Sequence, residues 1–193
     1  MKKSKLIVVN LFAGPGAGKS TTCAGIFHEL KLKGINCEMA LEYAKDKVWE
    51  ESYRTLENQI YVFGHQLQRI FRVKDKVEVV ITDSPLILSI YYDKERSANL
   101  KNLVMEQHNQ FHNINIFIGR NDLAYNPKGR YQTFEEAKNI DKDLKRLLDS
   151  LDVDYIDINK GETEKAVQII LEELNRDDHL LYEEFKAWKK NKK

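Results

Sequence analysis

The sequence predicts an α/β fold of the doubly wound type, with five parallel strands in one sheet and helices on both of its faces. Three observations predict it. Short apolar runs alternate along the chain with longer segments in which apolar residues recur every three or four positions. A glycine-rich turn joins the first run to the first longer segment. No internal repeat or Pro/Gly/Ser linker interrupts this alternation, so residues 1–193 are expected to form a single domain.

The predicted strands are nearly continuous apolar runs, which is typical of parallel strands covered on both faces. They span residues 6–12, 35–41, 77–81, 114–118 and 153–158. Because helices connect such strands, the strands run parallel and their carboxyl ends meet at one edge of the sheet. The residues that end each strand are therefore candidates for ligand binding.

The predicted helices each have one apolar stripe that faces the sheet. Three of them span residues 21–30, 55–73 and 97–111, a fourth opens on a capping box formed by Thr133 and Glu136, and a fifth covers 167–174. The stripe of the longest consists of Leu56, Ile60, Phe63, Leu67 and Ile70. The stripe of the fourth consists of Ala137, Ile140, Leu144, Leu147, Leu148 and Leu151.

Composition excludes several classes of function. The formal net charge of +1 gives no argument for tight binding to nucleic acid or to an anionic membrane, and no apolar run is long enough to span a bilayer. The basic and then apolar N-terminus imitates a secretory signal, but its cleavage would destroy the glycine-rich turn. Cys23 and Cys37 lack the spacing of metal ligands and are interpreted as core thiols. A cytoplasmic location is therefore expected.

The glycine-rich turn is the most specific motif of the chain. It reads AGPGAGKST and lies between a predicted strand and a predicted helix, where backbone N–H groups and the helix N-terminus attract phosphate. This is a Walker A phosphate loop with alanine at the first glycine position. The residues expected to bind the nucleotide are Ala13, Gly14, Gly16, Ala17, Gly18, Lys19, Ser20 and Thr21. The loop predicts ATP and Mg²⁺ as cofactors, although GTP in place of ATP stays open.

Carboxylates that end two other strands are candidates for the chemistry. Asp83 follows the third strand and fits a Walker B position that holds Mg²⁺ together with Ser20. Its alternative interpretation is an N-cap for a helix that begins near Pro85. Glu42 ends the second strand and is the candidate base that orients an acceptor hydroxyl. Asp46 is an alternative for the same role, or a helix cap.

Two further groups of polar residues are candidates for binding. Arg120 and Arg130 flank a turn in a predicted basic lid, about residues 120–133, and would stabilise the transferring phosphoryl group unless the segment is only a solvated loop. On the acceptor side, Gln59, Gln66 and Arg69 are candidates for hydrogen bonds to the acceptor, and polarity at the border of the core explains them equally well. Tyr43 is a candidate for stacking on a planar ligand, although packing within the protein is the more common role of an aromatic ring.

Together these residues resemble the P-loop kinases that act on nucleosides and nucleotides. The run from Glu42 to Trp49 is similar to the E-P-x-x-x-W element of deoxynucleoside kinases, with Tyr43 in place of proline and the tryptophan two residues later. The resemblance implies that this glutamate activates a sugar hydroxyl, and that Gln66 with Arg69 reads a base. The second acidic motif departs from the family's E-R-S, because Asp83 is followed by Ser84 and Pro85.

Over nearly the whole chain, the sequence is similar to small phage-encoded AAA-type ATPases that are akin to nicotinamide riboside kinase domains. The similarity rests on E-Y-A-K-D at residues 42–46, I-T-D-S-P at 81–85 and Y-N-P-x-G-R-x-Q at 125–132. It implies a kinase-like fold and a phage genome, and hence a location in the host cytoplasm. It does not imply a particular substrate.

The expected activity is transfer of the γ-phosphoryl group of ATP to a hydroxyl of a nucleoside- or nucleotide-like acceptor. Two alternatives stay open. One is a kinase for hydroxymethylated pyrimidines in phage DNA, and the other is an NTPase or nucleotide-dependent interaction module without an acceptor. The expected partner is a small molecule, and DNA or a second copy of the chain remains open. No membrane partner is expected.

Overall fold

The sheet contains five strands, all parallel, as the sequence predicts. The computed structural model of the chain describes residues 5–120 and 134–175. In that part, the strands lie in the order β2-β3-β1-β4-β5. They are β1 (Ile7–Phe12), β2 (Cys37–Met39), β3 (Val79–Thr82), β4 (His112–Gly119) and β5 (Ile156–Asn159). The central strand β1 pairs with β3 on one side and β4 on the other, so the loop that follows β1 lies where the winding of the chain reverses.

Helices cover both faces of the sheet. In chain order they are α1 (Lys19–Leu32), α2 (Tyr43–Trp49), α3 (Tyr53–Leu56), α4 (Gln59–Phe71), α5 (Leu88–Tyr92), α6 (Ala98–His108), α7 (Phe134–Ser150) and α8 (residues 163–175). Side chains of α1 and α8 pack on one face, against alternate residues of β1 such as Val9 and Leu11. Side chains of α4, α5, α6 and α7 pack on the other face, against Val8 and Phe12. This two-sided burial confirms the doubly wound architecture.

The prediction of one long helix over residues 55–73 is wrong, because the segment forms two helices. α3 ends at Leu56 and α4 begins at Gln59, after Asn58 caps α4 by accepting from the Tyr61 N–H at 3.1 Å. The apolar stripe is also displaced. Ile60 is 66% exposed, whereas Gln59 and Gln66 are buried together with Phe63 and Ile70. The glutamines can be buried because protein groups accept hydrogen bonds from their amides.

The remaining elements follow the predictions, with shifted ends. β2 has three residues where seven were predicted, and the stripe of α7 buries Ala137, Leu144 and Leu148. Thr133 of the predicted capping box lies outside the described residues. Cys23 and Cys37 are free and buried, as expected for core thiols. In the described ranges, no helix is both long and apolar enough to cross a membrane.

Candidate active site

The phosphate loop connects β1 to α1 and has the backbone that its glycines permit. Gly16 and Gly18 have φ of +81° and +99°, which L side chains rarely adopt. Ala13 has no positive φ, so alanine is tolerated where the strict motif has glycine. The Thr22 N–H donates to the Gly18 carbonyl at 2.9 Å, and the preceding N–H groups of the helix therefore lack a partner within it. The loop thus presents donors for an anion.

Lys19 folds back over its own loop. Its Nζ donates to the carbonyl oxygens of Ala13 at 2.7 Å and Gly14 at 3.3 Å. Burial lowers the pKa of the Lys19 ammonium, and the nearby carboxylates of Glu42, Asp83 and Asp141 partly oppose that effect. The ammonium therefore lies near three carboxylates and the Arg120 guanidinium.

Ser20 and Asp83 meet beside this ammonium. The Ser20 hydroxyl donates to Asp83 Oδ2 at 2.6 Å, and the Asp83 side chain is almost fully buried at the end of β3. Among the described residues, no group donates to the buried Oδ1 of Asp83. An orphaned buried oxygen of this kind costs about 1–3 kcal/mol, and a hydroxyl with a carboxylate is a donor set that suits Mg²⁺. The alternative interpretation as a helix cap is wrong, since α5 begins at Leu88 after Ile87.

Glu42 lies three residues after the last residue of β2, directly before α2. Burial raises the pKa of its carboxyl group, Lys19 lowers it and Asp83 raises it further. Within the part of the chain that the structure describes, its carboxylate makes no hydrogen bond. The ends of three neighbouring strands therefore bring together the Lys19 ammonium and the carboxylates of Glu42 and Asp83. All three residues were candidates from the sequence.

Gln66 fixes the backbone around Glu42. Its Oε1 accepts from the Tyr43 N–H at 3.0 Å, and its Nε2 donates to the Ala40 carbonyl and to the Thr82 hydroxyl, both at 3.2 Å. The side chain is 3% exposed, and its amide is engaged at both ends. Gln59 likewise donates to the Leu56 carbonyl at 2.7 Å. The geometry favours a structural role for both glutamines over the predicted contact with an acceptor.

Arg69 and Tyr43 also contact protein groups. Arg69 donates to the Leu41 carbonyl at 3.0 Å and forms an ion pair with Asp46, which lies inside α2 and does not cap it. The Tyr43 ring stacks on His65 with centroids 4.3 Å apart, and its hydroxyl lies 3.3 Å from that of Tyr61. These contacts stabilise the connection from β2 to α2, the segment that carries Glu42.

Arg120 directly follows β4 and pairs with an aspartate that was not a candidate from the sequence. Its Nε and Nη2 contact the Asp141 carboxylate, and Nη2 also donates to the Ala137 carbonyl at 3.4 Å. Asp141 Oδ1 in turn accepts from the Gly14 N–H of the phosphate loop at 2.5 Å. Arg130 and the rest of the predicted lid lie outside the described residues. No sequence signal marked Asp141, because it lies in mid-helix among other charged residues of α7.

Lys160, another residue that the sequence analysis did not single out, lies beside the loop. Carbon atoms of its side chain are 3.4–3.7 Å from the point where a Cβ of Gly18 would lie. Its N–H donates to the Gly119 carbonyl at 3.1 Å, and the adjoining turn is closed by Asn159, which donates from Nδ2 to Glu162 Oε1 at 2.9 Å. Its position at the end of β5 was a signal, since ligands of such sheets gather at strand ends.

Tyr92 is a further residue near the site that the sequence did not predict. Burial and then the Glu42 charge raise the pKa of its phenol, which places this side chain of α5 within electrostatic reach of the candidate base. The aromatic ring packs edge-on against Tyr91, with centroids 5.0 Å apart. Tyr92 is 44% exposed, so its ring is accessible beside Tyr91.

Comparisons with known proteins concern the family and the fold of the chain. The sequence profile of the AAA domain family matches residues 8–166. No curated protein has a matching sequence. The crystal structure of the NadR protein in complex with NR aligns with a TM-score of 0.55 at 18% identity, over 81% of this chain and 45% of that one. This chain thus spans less than half of NadR, and the similarity concerns the fold. The chain belongs to the AAA domain family, and its fold is similar to that of the NadR structure.

Proposed function

We propose that the protein is an ATP- and Mg²⁺-dependent kinase that transfers the γ-phosphoryl group to a hydroxyl of a nucleoside- or nucleotide-like acceptor. The observation that carries the proposal is the partly buried Glu42 carboxylate, which faces the charges of Lys19 and Asp83 and makes no hydrogen bond within the described residues. A carboxylate kept free of donors at that place suits an incoming hydroxyl.

The nucleotide would occupy the phosphate loop. The loop amides and the Lys19 ammonium, released from the Ala13 and Gly14 carbonyls, would hold the phosphates. The stem of Lys160 would form a wall beside Gly18. Ser20 and Asp83 would hold Mg²⁺, and this assignment is supported by Oδ1 of Asp83, which has no partner among the residues that the structure describes. When bound, the ion neutralises charge on the β- and γ-phosphates.

The chemistry then requires one proton acceptor and fixed positive charge. The hydroxyl oxygen of the second substrate attacks the γ-phosphorus. At the same time the bond between the γ-phosphorus and the β–γ bridging oxygen breaks, and ADP leaves. Glu42 orients the hydroxyl and takes its proton, which a raised pKa favours because the carboxyl is then a stronger base. Lys19 and Arg120 stabilise the charge on the transferring group.

The acceptor class rests on analogy. The fold similarity to NadR in complex with NR makes a ribonucleoside, including nicotinamide riboside, the first acceptor to try. Tyr92 near Glu42 offers an aromatic surface for such a ring system. A hydroxymethylated pyrimidine in DNA is a second acceptor of the same reaction type.

A second function comes from the AAA domain match, which favours ATP hydrolysis without an acceptor. Water would then replace the acceptor hydroxyl. The two functions differ in their dependence on a second substrate and on Glu42.

The test is transfer from γ-labelled ATP to nucleosides, nucleoside monophosphates, nicotinamide riboside, and DNA with and without hydroxymethylpyrimidines. We expect a labelled product that Glu42→Gln abolishes. Glu38→Gln, on the exposed side of β2, is the matched control and should retain the product. Release of inorganic phosphate alone, at a rate that no acceptor changes, would contradict the kinase and leave the NTPase.

A further inference from the structure

Asp141 connects three parts of the candidate site through one carboxylate. Oδ1 accepts from the Gly14 N–H at 2.5 Å, and Oδ2 pairs with Arg120 Nε. Arg120 Nη2 lies 3.3 Å from Oδ1 and 3.4 Å from the Ala137 carbonyl. The phosphate loop, the end of β4 and the first half of α7 therefore share a single charged junction.

The junction leaves one edge of the guanidinium unused. Nε and Nη2 are engaged, but in the described ranges no hydrogen bond is made by Nη1. The Arg120 side chain is only 9% exposed, so its position is fixed by these contacts. Its charge also acts on the Lys19 ammonium, whose pKa it lowers, which places the guanidinium near the phosphate-binding lysine.

The close approach of α7 to the loop makes the arrangement rigid. A Cβ at Gly14 would lie 2.8 Å from the Ala137 carbonyl oxygen and 2.9 Å from Asp141 Oδ1. The same Gly14 residue donates its N–H to Asp141 and accepts from Lys19 Nζ through its carbonyl. The two cations of the site are therefore coupled through the loop to one carboxylate.

We propose that Asp141 is a positioning residue that holds Arg120 by its Nε–Nη2 edge and leaves Nη1 to bind the terminal phosphate of the nucleotide. The inference rests on the proposed function, since it concerns how phosphoryl transfer is stabilised. A charge-assisted pair fixes the plane of the guanidinium before the nucleotide arrives, so less side-chain freedom is lost in the transition state.

The competing explanation is that Asp141 only braces the phosphate loop through Gly14. Asp141→Asn separates the two, because the amide oxygen of asparagine still accepts from the Gly14 N–H. Its NH₂ group, however, cannot accept from Arg120 and carries no charge. The substitution therefore removes the negative charge and the Oδ2 contact with Arg120 Nε. It preserves the contacts at Oδ1, which are the one from the Gly14 N–H and the longer one from Arg120 Nη2.

The experiment measures ATP turnover, ADP affinity and melting temperature in the wild type, Asp141→Asn, Arg120→Gln and the double variant. We expect Asp141→Asn to lower kcat about tenfold, with ADP affinity changed less than twofold and little further loss in the Arg120→Gln background. Asp143→Asn, which removes an exposed pair with Arg146, is the control and should behave as the wild type.

Three outcomes would overturn the proposal. Multiplicative losses in the double variant would show that Asp141 does not act through Arg120. A parallel fall in ADP affinity and melting temperature for Asp141→Asn would identify a brace for the loop. Full turnover in Arg120→Gln would show that Arg120 does not contribute to phosphoryl transfer, although the proposed kinase function would still stand. A wild type that binds no nucleotide would instead contradict the proposed function itself.

Discussion

The Ser20 hydroxyl donates to Asp83 Oδ2 at 2.6 Å, although 63 residues separate the two along the chain. The contact links the first turn of α1 to the end of β3, because β1 and β3 are paired neighbours in the sheet. It occupies one carboxylate oxygen and leaves the other buried and unpartnered among the described residues. The two oxygens of the Asp83 carboxylate therefore have different environments.

The first expectation concerns the divalent ion. Asp83→Asn should remove most of the gain in ATP affinity that Mg²⁺ provides, because an amide oxygen is a weaker ligand than a carboxylate. In EDTA, which removes Mg²⁺, Asp83→Asn should bind ATP as tightly as the wild type or more tightly, since a negative charge near the phosphates is lost. Isothermal titration with and without Mg²⁺ measures both. The exposed Asp154→Asn is the control, and an unchanged Mg²⁺ gain in Asp83→Asn would refute the metal assignment.

The second expectation concerns the contact of α7 with the loop. Gly14→Ala should destabilise the protein by about 1–3 kcal/mol and weaken nucleotide binding, because the new Cβ meets the backbone oxygen of Ala137. Gly64→Ala is the matched control. Nothing lies within 4 Å of its Cβ, and alanine in the middle of α4 should stabilise by about 0.5–1 kcal/mol. Urea unfolding compares the two, and a neutral Gly14→Ala would show that α7 can move away.

The third expectation separates structure from recognition at Gln66. Gln66→Ala leaves the Tyr43 N–H and the Ala40 carbonyl without this partner, so stability should fall by about 1–3 kcal/mol. Turnover should fall with it, since Glu42 adjoins Tyr43. The exposed Gln68→Ala controls for loss of a helical glutamine. Unchanged stability with a raised KM for the acceptor alone would support the predicted role in reading a base.

The fourth expectation concerns pH. Proton acceptance requires ionised Glu42, so turnover should rise with pH through a pKa above the ordinary value of 4.5. The turnover of Glu42→Gln should not show this rise with pH. Because the raised pKa means that the folded state binds the proton more tightly, this group's contribution to stability falls as pH rises. The melting temperature of Glu42→Gln relative to the wild type should therefore increase with pH, and a constant difference would argue against the raised pKa.

The sequence predicted those features that depend on local pattern. The phosphate loop needs glycine at specific backbone positions, and the strands need apolar runs, so both are visible along the chain. The positions of Glu42 and Asp83 followed from the rule that parallel strands end at one edge. Their proximity to Lys19 in the fold agrees with that expectation.

Long-range hydrogen bonds explain what the sequence left hidden. Ile60 is exposed and Gln66 is buried because Gln66 satisfies backbone and hydroxyl groups from β3 and from the β2–α2 connection, which no periodicity can indicate. Asp141 looks like any acidic residue of a charged helix until α7 is placed against Gly14. Partners distant in sequence decide both cases.

Cys23 lies in α1 directly behind the phosphate loop, and its buried thiol faces the Ile81 carbonyl at 3.8 Å. Burial raises its pKa to about 12, so almost no thiolate is present in the folded protein at neutral pH. The thiol can react with an alkylating reagent only when α1 separates from the sheet. The rate of labelling at Cys23, followed by peptide mass spectrometry, is thus a native reporter of opening at the loop, and bound nucleotide should slow it.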